Sequence, residues 1–162
     1  HLWKPRAIIR TLVDLPGIKL QPKAELSRFK ISYYIDPKQA PGLDEINSLL
    51  HQQELTANTF LSFGQFLDIL PVRASKGFAL RWVADQWGIP LENILVAGGS
   101  GADEDLMRGN AMAVVVANRH HEELSGLVDI ENIYFAKQPC AAGILEAMEH
   151  YNYLGNCELP GA

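Results

Sequence analysis

Apolar positions along the chain change their spacing several times, and each change predicts a new element. Over residues 5–17, PRAIIRTLVDLPG, they recur at helical spacing until Pro16 and Gly17 end the run, which predicts an amphipathic helix. GIKLQPKAE, residues 17–25, reads as a short strand, and RFKISYYID, residues 28–36, alternates as a strand that Pro37 stops. LDEINSLLHQQ, residues 43–53, returns to helical spacing, and TANTFLSF and QFLDILP are two strands around a turn at Gly64. The order helix, strand, strand therefore occurs twice. A duplicated α+β unit of this kind is expected to close into a small antiparallel sheet with its helices on one side.

Beyond residue 70 the alternation differs. SKGFALRWVADQWG, residues 75–88, predicts a helix with Ser75 as its cap and Gly88 as its stop. ENILVAG is a continuously apolar run, the mark of a strand buried on both faces in a parallel sheet. A helix around Glu104 to Arg108 leads to a second such strand, MAVVVAN. HHEELSGL is then a short helix, NIYFA a short strand and AAGILEAMEHYNY the closing helix. Strand–helix repetition predicts an α/β layer with a parallel sheet. The expected division is residues 1–70 for the α+β unit and 71–162 for the back half of an α/β domain. The chain opens on HLWKPRAIIRTL, with no methionine and already inside a helical pattern, and this reads as a cut from a longer protein.

Composition narrows the function classes. Hydrophobic residues at 48% and charged residues at 20% of 162 are ordinary for a soluble globular chain. A net charge of -5 weighs against a general nucleic-acid binder, which would show a basic face, while leaving room for a local cationic pocket. No apolar run is long enough to span a bilayer and no signal peptide is visible, so no membrane partner is expected. Cys140 and Cys157 are too few for a disulfide framework, which favours a cytoplasmic, reducing setting.

Candidate chemistry concentrates in VAGGSGADEDLM, residues 96–107. A G-x-G-x-x-G fingerprint fails, because counting from Gly99 and Gly101 puts the third glycine on Glu104; a P-loop fails for want of a lysine. A nucleophile elbow fits better: Gly98, Ser100 and Ala102 are small, and Asp129 and His150 follow in triad order. Three acids beside that serine would repel the oxyanion such an enzyme must stabilise. There remain a Mg²⁺–phosphate site, with Asp103 hanging beyond the carboxyl end of its strand, and a plain helix start in which Asp103, Glu104 and Asp105 complement the dipole. The loop alone leaves these two even. Lys76 favours the first, since a cation in the first turn of a helix opposes the dipole and a bound anion would reverse that penalty.

Taken together, LDILPVRASKG, ILVAGGSGADEDLM and CAAGILEAMEHY resemble the sucrose-phosphatase branch of the haloacid dehalogenase-like phosphatases, and FKISYYIDP resembles that branch's cap domain. The resemblance runs from about Trp3 to Tyr153 and points in particular to the C-terminal phosphatase-like region of bacterial sucrose-phosphate synthases. It implies an α/β fold, a partial Rossmann-like core with an inserted α+β cap. It implies Mg²⁺-dependent hydrolysis of sucrose 6-phosphate by an Asp nucleophile in a D-x-D pair that would lie upstream of His1. A glycosyltransferase domain of the same parent chain, joining UDP-glucose to fructose 6-phosphate, is the implied partner. By itself the chain is expected to be inactive, and the alternative is a non-catalytic sugar-phosphate-binding or regulatory domain.

The same resemblance makes Lys76 the catalytic cation, Asp103 the metal ligand, and Ser100 and Gly101 part of the phosphate loop. The family's Gly-Asp-Ser-Gly-Asn-Asp pattern falls on residues 98–103, where Gly99 replaces the first acid and Ala102 an amide. Mg²⁺ binding is therefore expected to be weakened or lost unless Glu104 or Asp105 shifts in. On the cap, Lys30, Ser32 and Tyr34 alternate onto one face of their strand, and Gln65 and Asp68 lie on the last cap strands; these are the expected contacts to a glucosyl ring. Asn118 and Arg119 follow the strand MAVVVA and are candidates for the phosphate side. His120 and His121 have the wrong spacing for a zinc helix and are expected to start a helix. Trp3, Trp82 and Trp87 are expected to cover helices, and Cys140 to be a small buried apolar residue.

Overall fold

The computed structural model describes residues 3–155. Two compact units divide the chain, one up to Ser75 and the other from Lys76 onward.

The first unit contains α1 (Pro5–Leu12), β1 (Ile18–Leu20), β2 (Ile31–Ile35), α2 (Leu43–Gln52), β3 (Asn58–Ser62) and β4 (Phe66–Leu70). Pro5 opens α1 at a position where its missing N–H costs nothing. The four strands form an antiparallel sheet in the order β1-β2-β4-β3, so each half of the duplicated pattern supplies one outer and one inner strand. The inner strands set Ser32 opposite Asp68 and Tyr34 opposite Phe66. The two-residue period of the strands then divides the faces. Ile31, Tyr33, Leu67 and Ile69 join Ile8 and Leu12 of α1 and Ile46 and Leu50 of α2 in one core. Burial there pushes the Tyr33 hydroxyl up to about 12. Lys30, Ser32, Tyr34, Phe66 and Asp68 fall on the other face. Gln65 differs from expectation: it sits in the exposed β3–β4 turn, not on a strand.

The second unit runs α3 (Lys76–Trp87), β5 (Leu95–Gly98), α4 (Glu104–Met107), β6 (Met112–Val115), α5 (His121–Leu124), β7 (Ile133–Phe135) and α6 (Cys140–His150). Its sheet is parallel, in the order β5-β6-β7. Central β6 is buried on both faces. Ala113 and Val115 pack with Met107, Leu124 and Leu127 on one side, and Val114 packs with Ala147 of α6 on the other. This is the physical content of an uninterrupted apolar strand: with helices on both faces of the sheet, no position is left for a polar side chain.

Gly88 ends α3 with φ 63°, and the N–H of Ile89 returns to the Ala84 carbonyl at 2.9 Å, closing the last turn as glycine stops do. Two expectations fail. Trp82 and Trp87 are 65% and 73% exposed, because the buried stripe of α3 runs through Gly77 and Ala84 and leaves both rings off it. Cys140 is exposed at the first position of α6. Trp3 does pack against the first core, and Cys157 lies outside the described residues.

A Cβ added at Gly88 would meet no atom within 4 Å, so Gly88→Ala isolates the conformational cost of the left-handed stop. Chemical denaturation is expected to show a loss of about 1 kcal/mol for that variant.

Candidate functional site

At Gly98 the strand β5 ends, and the chain passes through Gly99 and Ser100 into a single 3-10 turn, Gly101–Asp103, that continues as α4. Asp103 folds back over this turn. Its Oδ2 accepts the N–H of Gly99 at 3.0 Å, the N–H of Ser100 at 3.1 Å and the Ser100 hydroxyl at 3.2 Å. Glycine at 98 is what makes room: a Cβ there would stand 2.5 Å from the Asp103 Cβ and 2.7 Å from Oδ2. The other oxygen, Oδ1, meets Lys76 Nζ at 2.5 Å. Residues 27 positions apart are thus brought together at the carboxyl end of β5.

The neighbouring acids have separate tasks. Asp105 Oδ2 accepts the N–H of Gly77 at 2.8 Å and so caps the start of α3, where it offsets the cation that opens that helix. Gly77 permits the approach, since a Cβ would lie 2.5 Å from that same oxygen. Glu104 pairs with Arg108 one helical turn on, at 2.7 Å.

Burial works to raise the Asp103 carboxyl. The hydrogen bond from Lys76, the amides of Gly99 and Ser100 and the Lys76 charge outweigh it, and hold the group below the usual carboxylate range. Within the pair the acid is the buried member, 14% exposed against 54% for the amine. An approaching anion meets the ammonium first.

Mg²⁺ would need more than this chain offers by itself. Asp103 has both oxygens engaged, Asp105 is bonded to Gly77 and Glu104 is paired with Arg108. Among the described residues no three His, Cys, Asp or Glu side chains gather where they could hold a metal ion. One carboxylate so occupied does not fit the cation alone.

The nucleophile-elbow arrangement does not assemble. The Ser100 hydroxyl is turned to Asp103, and His150 stacks on Tyr134 with ring centroids 4.1 Å apart. Asn118 accepts the N–H of Cys140 at 2.8 Å and so holds the start of α6, while Arg119 lies 5.0 Å over the Phe135 ring. Sequence reasoning passed over Glu123, whose Oε2 accepts the Gly101 N–H at 2.5 Å. Three successive loop amides, of Gly99, Ser100 and Gly101, therefore end on carboxylates. Nothing in the pattern HHEELSGL singles Glu123 out from Glu122.

In the first unit, Asp68 gathers two of the other selected residues. Its Oδ1 accepts the buried Ser32 hydroxyl at 2.5 Å and stands 3.9 Å from Lys30 Nζ. Tyr34 lies on the same face, its ring centroid 6.1 Å from that of Phe66. Gln65, in its turn, is the exception.

An antiparallel sheet backed by two helices, joined in sequence to a parallel α/β unit, is the fold of a class of solved structures that includes haloacid dehalogenase-like hydrolases. Within that class, the family model for sucrose-6F-phosphate phosphohydrolase matches residues 1–152, and the chain belongs to that family. It is 30% identical over 160 residues to a probable sucrose-phosphatase 3b of Arabidopsis thaliana, covering 93% of this chain and 38% of that protein. A crystal structure of the sucrose-phosphatase of Synechocystis sp. PCC6803, in complex with sucrose and phosphate, superposes with a TM-score of 0.88 at 28% identity, covering 94% of this chain and 64% of that one. A glucosylglycerol-phosphate synthase of Pseudomonas anguilliseptica is 24% identical over 154 residues, 95% of this chain but 20% of that protein. The chain thus spans about two fifths of the length of the Arabidopsis relative.

Because Asp103 is lowered in the folded chain, its contribution is fully present above the unfolded carboxyl value, about 4, and is lost as pH falls through the folded value. Urea denaturation across pH should therefore show wild type more stable than Asp103→Asn at neutral pH, with the gap closing on acidification below about pH 4.

Proposed function

We propose that this chain is the cap and the C-terminal part of the core of a phosphohydrolase module acting on sucrose 6-phosphate, with Lys76 holding the phosphoryl group. The Lys76–Asp103 pair carries the reading. A half-exposed ammonium kept in place by a largely buried carboxylate is a pre-oriented cation, able to take the charge that gathers on a transferring phosphoryl without first reorganising. Asp103 is its anchor, and the Ser100 and Gly101 backbone, closed onto carboxylates, keeps the anchor rigid. The nucleophile and the remaining carboxylates belong, in this reading, to an upstream segment. With them Asp103 would help hold Mg²⁺, which supplies positive charge against the phosphate oxygens.

On the first unit, Asp68 is the proposed sugar reader. Ser32 and Lys30 fix one of its oxygens, leaving the carboxylate an oriented acceptor for ring hydroxyls, and Tyr34 beside Phe66 offers apolar surface to the ring's C–H face. The likeness to a glucosylglycerol-phosphate synthase supports a parent chain that also carries a glycosyltransferase domain. Among the described residues no helix is long and apolar enough to cross a membrane, and a cytoplasmic setting is part of this proposal.

A second reading, a sugar-phosphate-binding or regulatory domain without turnover, draws on one observation: Gly99 stands where the family pattern has an acid, while Asp105 is bonded to Gly77 and Glu104 is paired with Arg108.

Phosphate release from sucrose 6-phosphate by the full-length protein with Mg²⁺ separates the two. Hydrolysis predicts release, and a fall of about a hundredfold or more in kcat/KM for Lys76→Ala. Binding of sucrose 6-phosphate without release, lost in Lys76→Ala, identifies the second reading; neither release nor binding overturns both. Asp68→Asn should raise KM severalfold with little change in kcat, as expected of a group that binds ground state and transition state alike.

A further inference from the structure

The glycine loop is gripped from outside as well as from within. Glu123, only 6% exposed, gives Oε2 to the Gly101 N–H at 2.5 Å. Its backbone is fixed by its neighbours, since Leu124 and Leu127 are fully buried in the core beneath β6. The same segment takes hold of the loop a second time: the His120 N–H donates to the Gly99 carbonyl at 2.8 Å, and His120 Nδ1 stands 3.5 Å from Glu123 Oε1.

A carboxylate withdrawn from water is costly unless its hydrogen bonds compensate it, and it confers geometry more reliably than stability. Glu123 meets that condition by reaching a loop that already carries Asp103 on its next two amides. We propose that Glu123 is a positioning residue for the Lys76–Asp103 pair. By fixing Gly101 it holds the loop in the form in which Asp103 reaches back to Gly99 and Ser100 with one oxygen and leaves the other to Lys76. The path is continuous: Glu123 to the Gly101 amide, through Ser100 to Asp103, and from Asp103 to the ammonium. That this positioning serves phosphoryl chemistry rests on the function proposed above; the geometric part does not.

The test reads Lys76 directly. In the full-length protein, trace acylation with acetic anhydride followed by peptide mass spectrometry gives the reactivity of Lys76 relative to exposed Lys19. Glu123→Ala is expected to raise it roughly two- to fivefold, the range open to an ion pair of this exposure. Glu123→Gln keeps an oxygen acceptor at the same reach and should stay near wild type, a rescue that general loosening of the fold would not give. Should Glu123→Ala fail to fold, Glu123→Asp, one methylene short of Gly101, carries the same expectation. An unchanged Lys76 in the folded variant, or Glu123→Gln as reactive as Glu123→Ala, overturns the proposal. Phosphate release measured in parallel keeps the two ideas apart: no release from wild type with a responsive Lys76 removes the hydrolytic reading alone, whereas an unresponsive Lys76 removes this one whatever the release.

Discussion

The second unit is organised around a carboxylate with no free oxygen. Asp103 binds two amides and a hydroxyl of its own loop on one side and an ammonium from the start of α3 on the other. Each partner constrains a different element, so one side chain sets the end of β5, the entry to α4 and the first residue of α3. The local sequence is shaped to allow it. Gly98 gives the carboxylate its space, Gly77 lets α4 approach α3, and Asp105 compensates the helix start that Lys76 would otherwise burden.

The first unit holds a smaller version of the same chemistry. Asp68 sits between a serine hydroxyl and a lysine, as Asp103 does, but on the surface of an antiparallel sheet where alternation, not loop closure, brings them together. The two arrangements differ in what they leave open. Around Asp103 the amine is the exposed end. Around Asp68 the lysine and the carboxylate are exposed to a similar degree, 38% and 33%, on the face that also carries Tyr34 and Phe66. The chain belongs to the sucrose-6F-phosphate phosphohydrolase family.

Much of the fold was legible in the order of amino acids because burial leaves a periodic trace. The doubled helix–strand–strand pattern, the uninterrupted apolar run of β6 and the glycine stop of α3 each follow from one local rule, and each appears in the structure. The Lys76–Asp103 juxtaposition was reachable by asking why a cation should open a helix. Other features have no local signature. Exposure of Trp82 and Trp87 depends on which stripe of α3 meets α4, and the helix's own apolar residues lie on several sides. The separate tasks of Asp103, Glu104 and Asp105 depend on elements distant in sequence, so that three adjacent acids looked interchangeable. Gln65 was displaced by the length of its turn, and Glu123 is marked only by its tertiary contact with the Gly101 amide.

The close approach of Gly98 to Asp103, and of Gly77 to Asp105, also restricts how this loop can evolve. A Cβ at 98 would stand 2.5 Å from the Asp103 Cβ, and a Cβ at 77 would stand 2.6 Å from the Asp105 backbone carbonyl. The first obstacle persists with any residue but glycine at 103, and the second with any residue at 105. Both glycines are therefore imposed by the path of the backbone, and each is expected to outlast the loss of its neighbouring carboxylate.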